Sequence, residues 1–164
     1  MAIIKFINNK VGLKKTLNYV CKEEKTNNKF ISGKDCMAEN AYDASNKQEA
    51  ENYCNKIIEI DPSNYKAWFL KGKAAGWQST LRNIRIEESV NCFTKAIDNA
   101  PEKEVEDIKA EAASEISSLS TALMRLCCDN FAKYPSEDNK DDILNNLYLA
   151  KLYPLLLLSK CGIK

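Results

Sequence analysis

Ala50-Glu51-Asn52-Tyr53-Cys54-Asn55-Lys56-Ile57-Ile58-Glu59-Ile60-Asp61-Pro62 and Ser89-Val90-Asn91-Cys92-Phe93-Thr94-Lys95-Ala96-Ile97-Asp98-Asn99-Ala100-Pro101 are two versions of one pattern. Each is a helix-like stretch that runs into an acid or amide and then a proline. With the prolines aligned, small or apolar residues coincide at Ala50/Ser89, Cys54/Phe93, Ile57/Ala96 and Ile58/Ile97. An internal repeat constrains the architecture before any single motif does, because each unit has an apolar face that only a neighbouring unit can cover. The pattern predicts a mainly α fold of stacked helical hairpins, a binding scaffold rather than a reaction centre.

The composition agrees. A chain of 164 residues is long enough for one domain with a real core. Apolar content of 45% and charged content of 29% are ordinary for a soluble globular protein. Five glycines and four prolines are too few for an all-β fold full of tight turns. A net charge of +1 gives no bulk electrostatic argument for a nucleic-acid partner. The chain has no histidine. That removes the imidazole general base, the Ser–His and Cys–His nucleophile pairs, and imidazole metal ligation. The expectation is therefore no enzyme, no metal and no cofactor. Seven cysteines without any Cys-x-x-Cys read as reduced thiols, several of them used as small core hydrophobes. Met1-Ala2-Ile3-Ile4-Lys5 lacks the basic start and long apolar core of a signal peptide, so the predicted location is cytoplasmic.

Along the chain, Ala2 to Ile7 is predicted as a strand. A helical period follows, with Leu13, Leu17, Val20 and Cys21 on one face and Lys14, Lys15, Asn18 and Lys22 opposite. Phe30-Ile31-Ser32-Gly33 reads as a second short strand, and Met37 to Tyr42 as a turn or the start of a helix. From about Ala44 everything becomes helical, which places a domain boundary between 1–43 and 44–164. Ser45 is the expected cap of a helix ending at Asp61-Pro62, and Ser63 or Asn64 the cap of the next. Helices are predicted from about Ile86 to Asn99, from Pro101 to roughly Cys128, and from Ile143 towards Cys161. The last is very apolar, but Asn145, Asn146, Lys151 and Pro154 interrupt it, so it is expected to be buried or covered by a partner rather than to span a membrane. Self-association through it is left open.

The stretch from Ala67 to Ala75, followed by Glu87 to Ile97 and Pro101, resembles the tetratricopeptide (TPR) repeat family. In that comparison Trp68 fills the gap between the two helices of a hairpin, Gly72 and Ala96 allow close approach, Phe93 is a core position, and Pro62 and Pro101 end second helices. The prolines are 39 residues apart, against about 34 in the family, with the surplus around Gly76 to Arg85. The resemblance implies a concave surface, lined by first helices, that holds an extended peptide or partner helix. Lys66, Phe69, Lys73 and Trp77 share one helical face away from Trp68 and Gly72. On that face the lysines either attract carboxylates beside aromatic contact area or are simply solvated.

Residues 1–43 resemble something else. Met1 to Asn8, Gly12 to Val20 and Ile31 to Tyr42 look like the N-terminus of conjugative relaxases, the mobilisation nucleases that nick plasmid DNA. In that family a tyrosine of the first helix attacks a DNA phosphate, assisted by a metal on a histidine cluster, and Tyr19 matches the nucleophile. Tyr19 is the one catalytic candidate, and only through this resemblance. Without histidine the resemblance implies at most a remnant that binds DNA without nicking it.

Overall fold

The computed structural model describes residues 29–162. There the periodic apolar positions form six helices: α1 (29–43), α2 (Lys47–Ile60), α3 (Tyr65–Gly76), α4 (Ile86–Asn99), α5 (Val105–Lys133) and α6 (Glu137–Cys161). Among the described residues the sole β feature is an isolated bridge between Thr80 and Asn83. The strand expected at Phe30-Ile31-Ser32-Gly33 is instead helical, part of α1. Phe30 stays 45% exposed there, whereas Ala38 and Ala41, three residues apart on one helical face, are buried. That packing decides the helix over the β propensity of a short apolar run. Met37 to Tyr42 is helix interior. The strand expected over Ala2 to Ile7, and Tyr19, lie outside the described residues.

The ends follow local chemistry. Asn46, not Ser45, caps α2: its side-chain oxygen accepts from the Glu49 N–H at 3.3 Å, and its amide donates to the Glu49 carboxylate at 2.7 Å. Ser45 takes a left-handed φ of 63° in the tight turn out of α1, where its N–H donates to the Tyr42 carbonyl at 2.9 Å. Asn64 caps α3 by accepting from the Ala67 N–H at 2.9 Å. Pro62 follows the last residue of α2 by two positions, as Pro101 does that of α4. α5 starts at Val105, because residues 102–104 form a turn. α6 starts at Glu137, six residues before Ile143, because Ser136 accepts from the Asn139 N–H and Glu137 and Asp138 favour the positive end of the helix dipole.

α3 packs on α2 and α4, α5 packs on α6, and α4 touches both α5 and α6. Phe93 is fully buried where these layers meet, its ring 5.0 Å from that of Phe69 and tilted by 41°. Around it lie Ile86, Val90, Ala96 and Ile97 of α4, Ile116, Leu119 and Leu123 of α5, and Leu157 of α6. The matched pairs Ala50/Ser89, Cys54/Phe93 and Ile57/Ala96 are buried in both copies, while Ile58 is half-buried against a buried Ile97. Two glycines set the helix spacing. A Cβ at Gly72 would stand 2.9 Å from the Phe93 ring, and one at Gly76 would stand 2.6 Å from a Leu119 methyl. Ser89 uses the first approach to donate to the Gly72 carbonyl at 2.8 Å.

The long connection after α3 is pinned from three directions. Arg85 forms a two-pronged ion pair with Glu51 of α2 (3.0 and 2.7 Å), and Gln78 donates to the same carboxylate at 2.8 Å. Arg85 also pairs with Glu88. Asn146 of α6 donates to the Leu81 carbonyl at 3.0 Å. Among the described residues no helix is long and apolar enough to cross a membrane.

Burial also sorts the thiols. Cys54, Cys92 and Cys127 are buried, and loss of solvent pushes Cys54 to about 12 and Cys92 to about 11. A buried neutral thiol is a poor nucleophile. Iodoacetamide at pH 8 should therefore modify Cys36 and Cys128, which are exposed, long before Cys54 and Cys92. Peptide mapping after a time course checks the order, and equal rates in the native protein would contradict the packing of α3 on α2 and α4.

Candidate functional site

α1, α3 and α5 run side by side in the same direction. Asp35 lies near Lys66 and Tyr42 near Lys73, while Tyr65 donates a hydrogen bond to Glu104, and Lys73 pairs with Glu111 and Glu115. Between them is a groove of about 350 Å³. The spacing of three to four residues along α3 brings Lys66, Phe69, Leu70 and Lys73 to it; α1 adds Asp35, Ala38 and Glu39, and the start of α5 adds Glu104, Ile108 and Glu111. The floor is apolar and the rim charged. A groove of this kind accommodates side chains of an extended or helical segment without any catalytic group.

The structure separates the four residues expected on this face. Lys66, Phe69 and Lys73 line the groove together. Lys66 is exposed at the rim, while Phe69 is buried in the floor and shared with the core through Phe93. Lys73 is half-buried, with its ammonium 3.7 Å from Glu111 and 3.8 Å from Glu115. It also stands 5.4 Å from the centre of the Tyr42 ring. Trp77 is outside the lining, 41% exposed, and its indole N–H donates to Glu115 at 2.5 Å. Trp68 points the other way: it packs at the edge of the core and donates to the Pro62 carbonyl at 2.8 Å. It borders a larger cavity of about 790 Å³ on the opposite side of α3 and α4, whose charged groups include the mutually paired Arg85 and Glu88.

The carboxylates are what the sequence reading missed. Asp35, Glu39, Glu104 and Glu111 stand in the groove against two lysines. The signal was present, since Glu104, Ile108, Glu111 and Glu115 follow a single helical face. Crowding is visible in the ionisation. Burial raises the Asp35 pKa first, Glu39 raises it further, and Lys66 opposes both. Tyr42 is pushed up to about 12 by burial and then by Glu115 and Asp43. Lys73 is thus already neutralised and unavailable for a partner's carboxylate.

A third cavity, apolar and about 500 Å³, lies between α5 and α6, with Met124 and Leu155 on its walls. Among the described residues no three thiols, carboxylates or imidazoles come together as a metal-binding group. Comparison of the chain with protein-family models, with curated proteins and with solved structures finds no match, so the groove has to be read from its own residues.

Proposed function

We propose that this protein is a non-enzymatic scaffold of TPR type, holding a peptide or partner helix in the groove formed by α1, α3 and α5. The observation that carries it is that the first helices of three successive pairs line one groove with an apolar floor and a charged rim. The buried repeat positions support the same reading, since Ala50, Cys54 and Ile57 of α2 do for α1 and α3 what Ser89, Phe93 and Ala96 of α4 do for the next pair.

The test uses the full chain and peptides selected on it from a displayed random library, then made synthetically with a fluorophore. Lys66 and Glu111 are both exposed, so Lys66→Glu with Glu111→Lys changes the rim and leaves the core intact. Binding should weaken about tenfold, a change of roughly 1.4 kcal/mol, with an unchanged circular dichroism spectrum. Selected peptides that bind both proteins equally would show that the groove is not the binding surface.

A further inference from the structure

We infer that the outward face of α6 is a self-association surface, occupied by α6 of a second copy of this chain laid antiparallel to it. α6 contributes nothing to the α1–α3–α5 groove, so this surface stands whatever that groove holds. The helix is apolar on both sides. Ile143, Ala150 and Leu157 are buried on its inner face, yet Leu144, Tyr148 and Leu155 on the outer face are 54%, 61% and 55% exposed. A helix that is apolar all round is ordinarily covered on every side. The apolar groove between α5 and α6 runs beside this face, with Leu155 and Met124 on its walls, so the uncovered surface continues onto α5.

Spacing and charge select the occupant. Asp141, Leu144, Tyr148, Lys151 and Leu155 follow one another at alternating steps of three and four, the seam of two helices wound together. Asp141 stands at one end and Lys151 towards the other, both exposed, and neither has an ion-pair partner among the described residues. Such a stripe complements itself only in the antiparallel direction. Parallel pairing would set Asp141 on Asp141 and Lys151 on Lys151. With the helices antiparallel and a two-fold axis crossing at position 146, Asp141 of each copy meets Lys151 of the other, and Leu144 meets Tyr148. Leu155 then lies on the aliphatic stems of the Glu137–Lys140 pair of the second copy. The overlap, 137–155, is about 27 Å long and ends where Pro154 removes a backbone donor from the helix. Sliding one copy by seven residues would pair Leu144 with Leu155. It would also bring the two Lys151 side chains within one helical turn of each other and set Asp141 against Leu158, costs that the first register avoids.

Sedimentation equilibrium of the intact chain tests this, with loading concentrations up to roughly 0.5 mM so that mass action can populate a weak dimer. A monomer–dimer equilibrium is expected. Lys151→Glu and Asp141→Lys, both at exposed sites, should each raise the dissociation constant about tenfold, since either change breaks two symmetric pairs and sets like charges together. The two changes in one chain should bring the constant back to within about twofold of the parent, because the pairs re-form with their signs exchanged. Circular dichroism checks that each variant keeps its helices. A chain that stays monomeric at every concentration overturns the inference, and so does a dimer that the single changes leave untouched. Single changes that weaken the dimer without recovery in the double variant would overturn the antiparallel pairing.

Discussion

Replacing Phe93 by alanine should lower the free energy of unfolding by about 4 kcal/mol, the cost of deleting a buried aromatic ring from a site that cannot collapse. The ring is fully buried, packs on Phe69, and closes against the backbone of Gly72, where a Cβ would stand 2.9 Å away. Helices held at that separation cannot move inward to fill the space. With a typical dependence of stability on urea, the midpoint should fall by about 2 M. Phe93→Leu, which keeps most of the volume, should cost only about 1 kcal/mol. A Phe93→Ala loss as small as that of the leucine variant would mean that the ring is not where α3, α4 and α5 meet.

The second large effect concerns polar groups. Arg85→Ala leaves the Glu51 carboxylate, in a residue 7% exposed, without its two-pronged partner. Removing one member of a buried ion pair costs about 3–5 kcal/mol, because the other charge is left desolvated and uncompensated. Arg85 keeps 18% of its side-chain exposure, so the lower end, about 3 kcal/mol, is expected. Glu51→Ala with Arg85→Ala should cost clearly less than the sum of the single changes, since neither charge then remains. Additive losses would show that the pair does not couple α2 to the connection between α3 and α4.

The same pair sets an acid limb. Hydrogen bonds from Arg85 hold the Glu51 carboxyl below its ordinary 4.5, Gln78 adds to this, and burial opposes it. A depressed folded pKa means that the unfolded chain takes up the proton first as pH falls. The stabilisation is therefore complete above the ordinary value and is lost as pH falls through the lower, folded one. Arg85 stays charged throughout and adds no slope of its own. Urea titrations at pH 7, 5 and 3 should show Glu51→Gln less stable than the parent at pH 7, with the gap narrowing as pH falls. A gap between the two that does not change with pH would contradict the ionised state of Glu51.

Much of the helical framework was legible because its signals are local. The apolar positions of α2 and α4, the ends of both helices before Pro62 and Pro101, and the small residues Gly72 and Ala96 all follow from spacing and residue chemistry. Errors fell where two local signals compete. Phe30 to Gly33 has strand-like composition, yet Ala38 and Ala41 find a buried place only as a helical face. Ser45 and Asn46 are both good caps, and the left-handed φ of Ser45 hands the role to Asn46. The sequence puts the start of α6 at Ile143, whereas the Ser136 side chain, accepting from the Asn139 N–H, begins it earlier.

The candidate groove divides in the same way. Lys66, Phe69 and Lys73 share a face because α3 has 3.6 residues per turn, and that alone brings them together. Their surroundings were not legible, because Asp35 and Glu111 lie 76 positions apart in the chain and meet only when α1 and α5 flank α3.

By itself, then, the repeat of Ala50 to Pro62 and Ser89 to Pro101 determined that the chain is mainly helical and which faces of α2 and α4 are buried, since periodicity and capping act over one or two turns. The sign of the groove's charge, the pairing of Lys73, the exclusion of Trp77 from the groove and the fastening of the long connection by Arg85 were decided only in three dimensions. Electrostatic partners depend on distances between helices, and no spacing along one helix encodes those.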